Sequence, residues 1–410
     1  MNILLINHYA GSLLHGMEFR PFYLAREWVR RGHKVTIVAA SHAHVRSIQP
    51  ACGGSESHET IEGIEYRWLA TPPYSGNGMA RVRNMAAFVA RLMRRAAKIA
   101  GDVKPDAVIA SSTYPLDIFP ARAMARRTGA RLVFEVHDLW PLSPRILGGM
   151  PAWHPFIVAM QMAENLAYRR ADRVVSLLPM AKAHMVRHGM DPKKFVYIPN
   201  GVAVEDWEGP AAQLPEEHER ILRGLRDDGR FVVCYAGAHG LANALEYFVD
   251  AAPHLTGTGA HLVLVGSGPE KPALQERAWR MGSDRVTFLP PVSRPAIRAL
   301  FSFADALYVG LRHCQLFEFG ISPNKLLDYM MAGKPVLQSI KAGNDPVRDA
   351  GCGITVEPGH SVAIAEGLRR LMSLSSDERT AMGARGRAYA IQHHDYLVLA
   401  RHFEEVLSGN

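Results

Sequence analysis

The chain has 410 residues, of which 48% are hydrophobic and 21% charged, and its formal net charge at pH 7 is +8. This length predicts two domains rather than one hydrophobic core, and the composition excludes an intrinsically disordered chain. The four cysteines form no CxxC pair, so we expect neither a disulfide framework nor a zinc site. We also expect no membrane span and no signal peptide, because no run of about 18 apolar residues and no basic leader segment occurs.

The first half of the chain alternates short apolar runs with helical patterns. The predicted strands are Ile3–Ile6, Lys34–Ala40, Asp106–Ala110, Arg131–Val136, Arg173–Leu177 and Phe195–Ile198. The predicted helices are Phe19–Arg31, Met79–Gly101, Asp117–Arg127, Trp153–Arg170 and Met180–Arg187. Strands that alternate with helices indicate a parallel sheet covered by helices on both faces.

Basic residues are concentrated between Gly76 and Ile146, where twelve Lys or Arg stand against five Asp or Glu. Such a surplus favours an anionic membrane surface or nucleic acid as a partner. The helix predicted over Met79–Gly101 fits an interfacial amphipathic helix and, equally, a surface helix whose apolar side packs on the core. We prefer the membrane to nucleic acid, because the scattered aromatic residues offer no platform for stacking bases.

The second half repeats the alternation after a polar stretch, residues 205–230, that contains proline and glycine. Its predicted strands are Phe231–Ala236, His261–Val265, Arg285–Leu289, Ala306–Val309 and Pro335–Gln338. We therefore expect an α/β fold with two tandem, doubly wound, Rossmann-like domains. In such folds ligands bind beyond the carboxyl ends of the strands, and a cleft between domains is a favoured site.

Polar and glycine-rich loops follow several of these strands. His137 lies in the loop EVHDLWP, where it is either a donor or base beside a substrate or a loop histidine satisfied by Asp138. The loop YAGAHG combines glycines with a following helix start, which is typical of a phosphate-binding turn. The loop VGSGPE contains Gly268 but lacks the third glycine of a dinucleotide fingerprint.

A short helix is predicted within residues 319–335, with Ser322 as its N-cap. Lys325 lies in the first turn, where the positive end of the helix dipole disfavours a cation. We infer that an anion binds there, on backbone N–H groups and the lysine. Asp328 follows three residues later on the same face; it either pairs with Lys325 or accepts hydrogen bonds from ligand hydroxyls.

These stretches together resemble glycosyltransferase family 4, whose fold is called GT-B. The resemblance rests on GISPNKLLDYMMAGKPV, EVHDLWP, YAGAHG and VGSGPE, and it extends from Met1 to about Arg387. The sequence is most similar to bacterial transferases that build O-antigen, capsule or exopolysaccharide units from amino sugars such as N-acetylfucosamine. The resemblance implies a retaining transfer from a UDP-sugar, without a metal ion or another cofactor.

The resemblance and the positions of these residues in their loops together predict roles for particular residues. His137 and Lys325 would be catalytic. The donor would be bound by Gly237, His239, Gly240, Gly268, Arg312, Gly320, Ile321, Ser322 and Asp328. The acceptor or cleft residues would be Gly16, Glu18, Arg20 and Asp138, although Arg20 equally fits a structural pair on its helix. No metal ligand is expected.

Two departures from the family pattern concern the diphosphate. The first acid of the family's Glu-x7-Glu signature would fall at Gly320, and Glu318 lies two residues too early. The family's basic pair would align with Ala238 and Asn243, neither of which is basic. We therefore expect Lys325, Arg312, the helix dipole and the Gly237–Gly240 amides to stabilise the departing UDP.

The predicted domains are an acceptor-binding domain over residues 1-204, a nucleotide-sugar domain over 205-385, and a C-terminal helix over 386-410 that packs back on the first domain. The expected acceptor is a polyprenyl-diphosphate-linked saccharide, and the expected location is cytoplasmic, at the inner face of the plasma membrane. Two alternatives stay open. A nucleotide-sugar epimerase of the same fold would convert a UDP-sugar without an acceptor, and a non-catalytic subunit would bind UDP without turnover.

Overall fold

The computed structural model describes residues 1–76 and 78–409. Contacts divide these residues into two units. Unit 1 comprises residues 1–201, 319–322 and 396 onward, and unit 2 comprises residues 202–318 and 323–395.

Unit 1 contains an eight-stranded sheet and helices around it. Its strands are β1 (Asn2–Ile6), β2 (Lys34–Ala40), β3 (Glu56–Ile61), β4 (Ile64–Leu69), β5 (Ala107–Ala110), β6 (Arg131–Val136), β7 (Arg173–Ser176) and β8 (Phe195–Tyr197). Its first helices are α1 (Arg20–Arg30), α2 (Met79–Val103), α3 (Ile118–Thr128), α4 (Leu142–Gly148), α5 (Pro155–Arg170) and α6 (Lys182–Arg187).

The strand order in unit 1 is β3-β4-β2-β1-β5-β6-β7-β8, and every pair is parallel except the antiparallel pair β3 and β4. The central strands are almost wholly buried, as expected for parallel strands covered on both faces. The hairpin β3–β4 was not predicted. Its two-residue turn has positive φ at both Glu62 (48°) and Gly63 (79°), as a type I′ turn requires.

Helix α2 packs its apolar side on the core of unit 1. Phe88, Leu92, Ala96 and Ile99, spaced three or four residues apart, lie in the same buried cluster as strand residues of β1 and β5. The apolar face predicted to be either interfacial or core is therefore a core face in this structure.

Unit 2 contains a six-stranded, wholly parallel sheet. Its strands are β9 (Phe231–Ala236), β10 (Ala260–Val265), β11 (Val286–Leu289), β12 (Ala306–Gly310), β13 (Val336–Ser339) and β14 (Gly353–Thr355), in the order β11-β10-β9-β12-β13-β14. Its helices are α7 (Glu216–Asp227), α8 (Leu245–Val249), α9 (Lys271–Arg280), α10 (Ile297–Ser302), α11 (Asn324–Met331), α12 (Pro346–Asp349), α13 (Ser361–Ser373) and α14 (Ser376–His394).

The last helix, α15 (Tyr396–Ser408), belongs to unit 1 and packs on α1. The Trp28 indole N–H donates to the carbonyl of Ala400 at 3.0 Å, and Tyr23 stacks on Tyr396 with ring centroids 4.9 Å apart. The segment predicted to return begins at 386, inside α14, whereas the structure assigns only residues from 396 to unit 1.

The α/β fold with two doubly wound, Rossmann-like units is confirmed. Among the described residues, we find no helix with both the length and the apolar character needed to cross a membrane.

Candidate active site

Both sheets contain a switch point, where the strand order changes direction next to the first strand of the unit. In unit 1 it lies between β1 and β5, and in unit 2 between β9 and β12. Ligands in doubly wound folds bind outside the carboxyl ends of strands at such points. In unit 1, His8 follows β1, Ser111 follows β5 and His137 follows the adjacent β6, so these side chains share one edge of the sheet.

His137 is held by a serine and a buried glutamate. The Ser111 hydroxyl donates to Glu135 Oε2 at 2.6 Å and lies 3.0 Å from His137 Nε2. Because that hydroxyl has one hydrogen, Nε2 of His137 must carry the proton of the second bond. Burial by itself would lower the pKa of His137, but the hydrogen bond and charge of Glu135 outweigh it and raise the pKa. The hydrogen bonds therefore place a proton on Nε2 of His137, and the raised pKa favours protonation of the second nitrogen as well.

Glu135 in turn pairs with Arg20 at the start of α1. Both side chains are 1% exposed, and the guanidinium contacts Glu135 Oε1 at 2.9 and 3.0 Å. Arg20 also donates to the carbonyls of Ile198 (3.1 Å) and Pro199. Burial would raise the pKa of Glu135, but Arg20 together with hydrogen bonds from His137 and Ser111 lowers it to about 2. Arg20 thus positions Glu135 and is not open to a substrate.

The other predicted residues of unit 1 lie in loops. Gly16 has φ +95°, and a Cβ there would come within 2.7 Å of Ser47 Oγ, so the loop requires glycine. The backbone N–H of Glu18 donates to the carbonyl of Tyr9 at 3.2 Å, which ties this loop to the end of β1. The side chain of Asp138 is exposed beside His137.

A second polar cluster, which sequence reasoning missed, surrounds the end of β1. His8 Nδ1 lies 2.5 Å from the Tyr114 hydroxyl, and Arg81 donates to the Tyr9 hydroxyl at 3.1 Å. His44 Nδ1 lies 2.7 Å from the hydroxyl of Tyr74. Aromatic faces that carry polar groups suit contacts with sugars, which have apolar faces and hydroxyl edges. In the sequence, the pair His8-Tyr9 begins two residues after the end of the predicted strand Ile3–Ile6, and this position could have indicated the cluster.

In unit 2, the loops after β9 and β10 pack backbone against backbone. A Cβ on Gly268 would come within 2.4 Å of the carbonyl oxygen of His239, so glycine is required there. The N–H groups of Gly237 and His239 donate to the carbonyls of Val265 (2.9 Å) and Ser267 (2.8 Å). These two amides are therefore not free for phosphate, contrary to the expectation that the whole Gly237–Gly240 turn offers its amides.

The ring of His239 is fully buried, and among the described residues neither of its nitrogens has a hydrogen-bond partner. Burial, with smaller effects of Lys271 and Lys325, lowers its pKa to about 4. A buried imidazole without a hydrogen bond at either nitrogen is uncommon in folded proteins. His239 is therefore a candidate to contact a ligand or a water.

Lys325 lies in the first turn of α11 and reaches back over the end of β9. Its Nζ is 2.6 Å from the Tyr235 hydroxyl and 4.0 Å from the centroid of the same ring. A Cβ on Gly237 would lie 2.8 Å from Nζ, so the absence of a side chain at 237 makes room for the lysine. Burial lowers the pKa of Lys325 to about 8. The N-cap of α11 is Pro323, which provides no side-chain hydrogen bond.

Asp328, one turn further along α11, does not pair with Lys325 but lies 3.9 Å from the guanidinium of Arg294. Burial raises the pKa of Asp328 to about 6, and Arg294 opposes this shift. Its side chain is 25% exposed, so the carboxylate is accessible to a ligand hydroxyl.

Two other predicted donor residues lie close to α8. Arg312, in the loop after β12, forms an ion pair with Glu246 and donates its backbone N–H to the carbonyl of Ala242 at 2.9 Å. The carbonyl of Gly240 accepts from the N–H of Asn243 at 3.0 Å. Because its charge is already paired, Arg312 is a weaker candidate for the diphosphate than Lys325.

The prediction that Ser322 is an N-cap is wrong. Its hydroxyl accepts a hydrogen bond from the backbone N–H of Asn200 at 2.8 Å, and its carbonyl accepts from the Asn200 amide at 2.7 Å. Ile321 is buried, and Gly320 has φ +101°, which L side chains rarely adopt. The glycine at 320 therefore suits its backbone, while Glu318 is exposed.

Comparisons with known proteins agree with this architecture. Residues 15–201 match the family model described as a glycosyl transferase 4-like domain, and residues 230–374 match the model described as glycosyl transferases group 1. These two matches, together with the two doubly wound units, define the two-domain, Rossmann-like class of glycosyltransferases. More particularly, the chain belongs to glycosyltransferase family 4, with the GT-B fold.

Several curated proteins are similar in sequence. The alpha-D-kanosaminyltransferase of Streptomyces kanamyceticus is 26% identical over 61% of this chain and 63% of its own length. The putative colanic acid biosynthesis glycosyl transferase WcaI of Escherichia coli (strain K12) is 22% identical over 68% of this chain and 69% of its own. The chain thus spans about three fifths of the kanosaminyltransferase.

Solved structures with this fold include Anabaena Alr3699/HepE in complex with UDP and glucose, with a TM-score of 0.66 at 18% identity. WaaG, a glycosyltransferase involved in lipopolysaccharide biosynthesis, has a TM-score of 0.64 at 16% identity. Each alignment covers 100% of both chains.

Proposed function

We propose that the chain transfers a sugar, in particular an N-acetylamino sugar, from a UDP-sugar to a polyprenyl-diphosphate-linked or other polysaccharide-precursor acceptor. The transfer retains the anomeric configuration and needs no metal ion. The names of the similar proteins support the classes of substrate: one is named for kanosaminyl transfer and another for colanic acid biosynthesis. HepE supports the nucleotide, since its structure contains UDP.

The observation that carries the proposal is Lys325 in the uncapped first turn of α11. A half-buried cation with its pKa near 8 and the N–H groups of a helix end form a site for a dianionic diphosphate. As the bond to the sugar breaks, negative charge grows on the diphosphate, and fixed cations there lower the barrier. Asp328 accepts hydrogen bonds from the ribose hydroxyls in this proposal.

His137 acts as a hydrogen-bond donor to the reacting sugar rather than as a base. Its pKa is raised by Glu135, so the protonated ring is favoured. A base would act through the neutral ring, since only that form can accept a proton, and the raised pKa reduces the share of the neutral ring at a given pH. A hydrogen-bond donor and a base therefore predict opposite changes in the transfer rate as the pH rises.

The test is a donor panel of UDP- and GDP-sugars with lipid-linked acceptors, followed by NMR of the anomer in the product. Transfer from a UDP-sugar with retention is expected. Inversion, or conversion of the UDP-sugar without an acceptor, would contradict the proposal; the second outcome would identify an epimerase. Binding of UDP without turnover would identify a non-catalytic subunit, for which Gly320 in place of an acid is the supporting observation.

Association with an anionic membrane surface is part of the proposal. Arg83, Arg94 and Lys98 are exposed on α2, and Leu147 and Trp153 of unit 1 are exposed apolar side chains. Each basic residue near an anionic surface contributes about 1 kcal/mol. Flotation with anionic and neutral liposomes should show binding that weakens as salt increases; equal recovery with neutral liposomes would contradict it.

A further inference from the structure

Helices α5 and α6 of unit 1 bring a glutamate and two histidines together. Glu164 lies on α5, and His184 and His188 lie four residues apart, in and directly after α6. One possible ligand atom from each residue lies within 4.8 Å of the others, and His184 Nε2 is 3.9 Å from Glu164 Oε1. Four-residue spacing on a helix places both imidazoles on one face.

The side chain of His184 is buried, and one of its ring nitrogens lacks a hydrogen bond within the part of the chain that the structure describes. It is 6% exposed, and its Nε2 has no hydrogen-bond partner among the described residues. Burying such a nitrogen unpaired is costly, so a group that interacts with it is expected. The nearest charged group is the carboxylate of Glu164, which is itself 2% exposed.

The carboxylate of Glu164 is oriented by two neutral donors. The Tyr168 hydroxyl donates to Oε1 at 2.9 Å, and the Gln161 amide donates to Oε2 at 2.7 Å. Among the described residues, no lysine or arginine lies within ion-pair distance of it. A buried carboxylate that lacks a cation is costly unless a cation joins it. Hydrogen bonds to a ligating carboxylate are also the usual outer support of metal sites.

His188 has the tautomer that a metal ligand needs. Its Nδ1 lies 2.9 Å from the carbonyl oxygen of His184. A carbonyl only accepts, so Nδ1 carries the proton and Nε2 retains its lone pair. A hydrogen bond to a backbone carbonyl is one of the arrangements that fix the ring in metal-bound histidines. His188 is partly exposed, which gives an ion a path to the buried pair.

We propose that Glu164, His184 and His188 bind a divalent transition-metal ion, with zinc the best match. Two imidazoles and one carboxylate suit zinc, at bond lengths of about 2.0–2.2 Å. Ligand atoms around a tetrahedral ion at such bond lengths are about 3.4 Å apart, so the 3.9 Å separation closes by about 0.5 Å on binding. Three protein ligands leave the fourth position for water or another ligand.

The ion links α5 to α6 and has no part in the transfer proposed above. His184 also packs on Phe319, with ring centroids 5.3 Å apart, and the N–H of Met180 donates to the Phe319 carbonyl at 2.9 Å. The segment of residues 319–322 is therefore attached to the α6 region. Binding of the ion stabilises this part of unit 1 by mass action on the folded state.

The experiment uses the full chain without a histidine tag, stripped with EDTA and without nucleotide. Zinc affinity is measured by competition with a chromophoric chelator, and cobalt is added as a spectroscopic probe. One tight zinc ion per chain and the visible absorption of low-symmetry cobalt are expected. Glu164→Gln and His188→Gln should each lower the zinc affinity at least ~10-fold. His402→Gln, an exposed helical histidine, is the matched control and should change nothing.

His188→Gln keeps the test valid even if changes at the buried pair prevent folding, because His188 is only partly buried. Circular dichroism checks the fold of each variant. The proposal is overturned if no zinc binds at micromolar concentrations. It is equally overturned if several ions bind weakly and the His188 and Glu164 variants match the control, since the chain has 19 histidines that can bind metal adventitiously. Neither result bears on sugar transfer.

Discussion

Replacing Glu135 with glutamine tests the buried network that holds His137. The change keeps the shape of the side chain and removes its charge, which leaves the Arg20 guanidinium, 1% exposed, with neutral acceptors only and no anionic partner. The pKa of Glu135 falls from 4.5 to about 2 on folding, which corresponds to about 3 kcal/mol at about 1.4 kcal/mol per unit. Removing one partner of a buried ion pair costs about 3–5 kcal/mol in other proteins. We therefore expect Glu135→Gln to lower the free energy of unfolding by about 3 kcal/mol at pH 7.

The assay is urea-induced unfolding, followed by circular dichroism and tryptophan fluorescence, in a double-mutant cycle with Arg20→Met. The double variant should lose less than the sum of the single losses, because no charge is then left unpaired. Arg31→Gln is the control, since its pair with Glu404 lies near the surface and should contribute about 1 kcal/mol or less. Because the pKa of Glu135 is depressed, its contribution is complete above about pH 4.5 and is lost as the pH falls toward 2. A loss under about 1 kcal/mol at pH 7, or strict additivity, would refute the reasoning.

Three further predictions concern the transfer itself. Lys325→Met should lower kcat about 10²–10³-fold and also raise the KM for the donor, because the cation contacts the diphosphate before and during the transfer; Lys341→Met, on the surface, should leave both unchanged, and unaltered kinetics of Lys325→Met would remove Lys325 from the mechanism. Binding of UDP-glucose, whose diphosphate does not titrate in this range, should strengthen through about pH 6 as Asp328 ionises and weaken above about pH 8 as Lys325 loses its proton; a flat calorimetric profile would contradict both assignments. If His137 donates a hydrogen bond, kcat should fall as the pH rises through its raised pKa, and a rate that instead increases there would identify a base.

Periodicity in the sequence was sufficient to predict most strands of both sheets, because buried parallel strands are continuous apolar runs. It failed for the hairpin of β3 and β4. The edge strand ESHETI is almost wholly polar and only its last residue is buried, so its pairing depends on the turn at Glu62 and Gly63 and not on hydrophobicity. The turn signal was present in the sequence as Glu-Gly between two runs of alternating residues.

For the candidate site, the sequence predicted which residues lie at the ends of strands, but not which side chains they contact. His137 and Gly237 follow predicted strands, so their edge of the sheet could be inferred. The partners could not, because Arg20 meets Glu135 across 115 residues and Lys325 meets Tyr235 across 90. Tyr235 lies inside an apolar strand pattern that gives no sign of a polar role. Such pairings depend on strand order and helix placement, which one sequence without tertiary structure does not determine.

Lys325 is placed where its charge disfavours folding, although the proposed transfer requires that charge. A cation in the first turn of a helix is unfavourable by about 0.3–1 kcal/mol, and its lowered pKa shows that burial opposes the charge further. The ring of Tyr235 offsets part of this cost. Gly237 meanwhile leaves room that a side chain would fill. Methionine at 325 would keep the packing and avoid the charge, so Lys325→Met should fold at least as stably as the natural chain while losing transfer. If the same variant were clearly less stable, the lysine would belong to the architecture of unit 2, and its defect in transfer would no longer indicate a diphosphate.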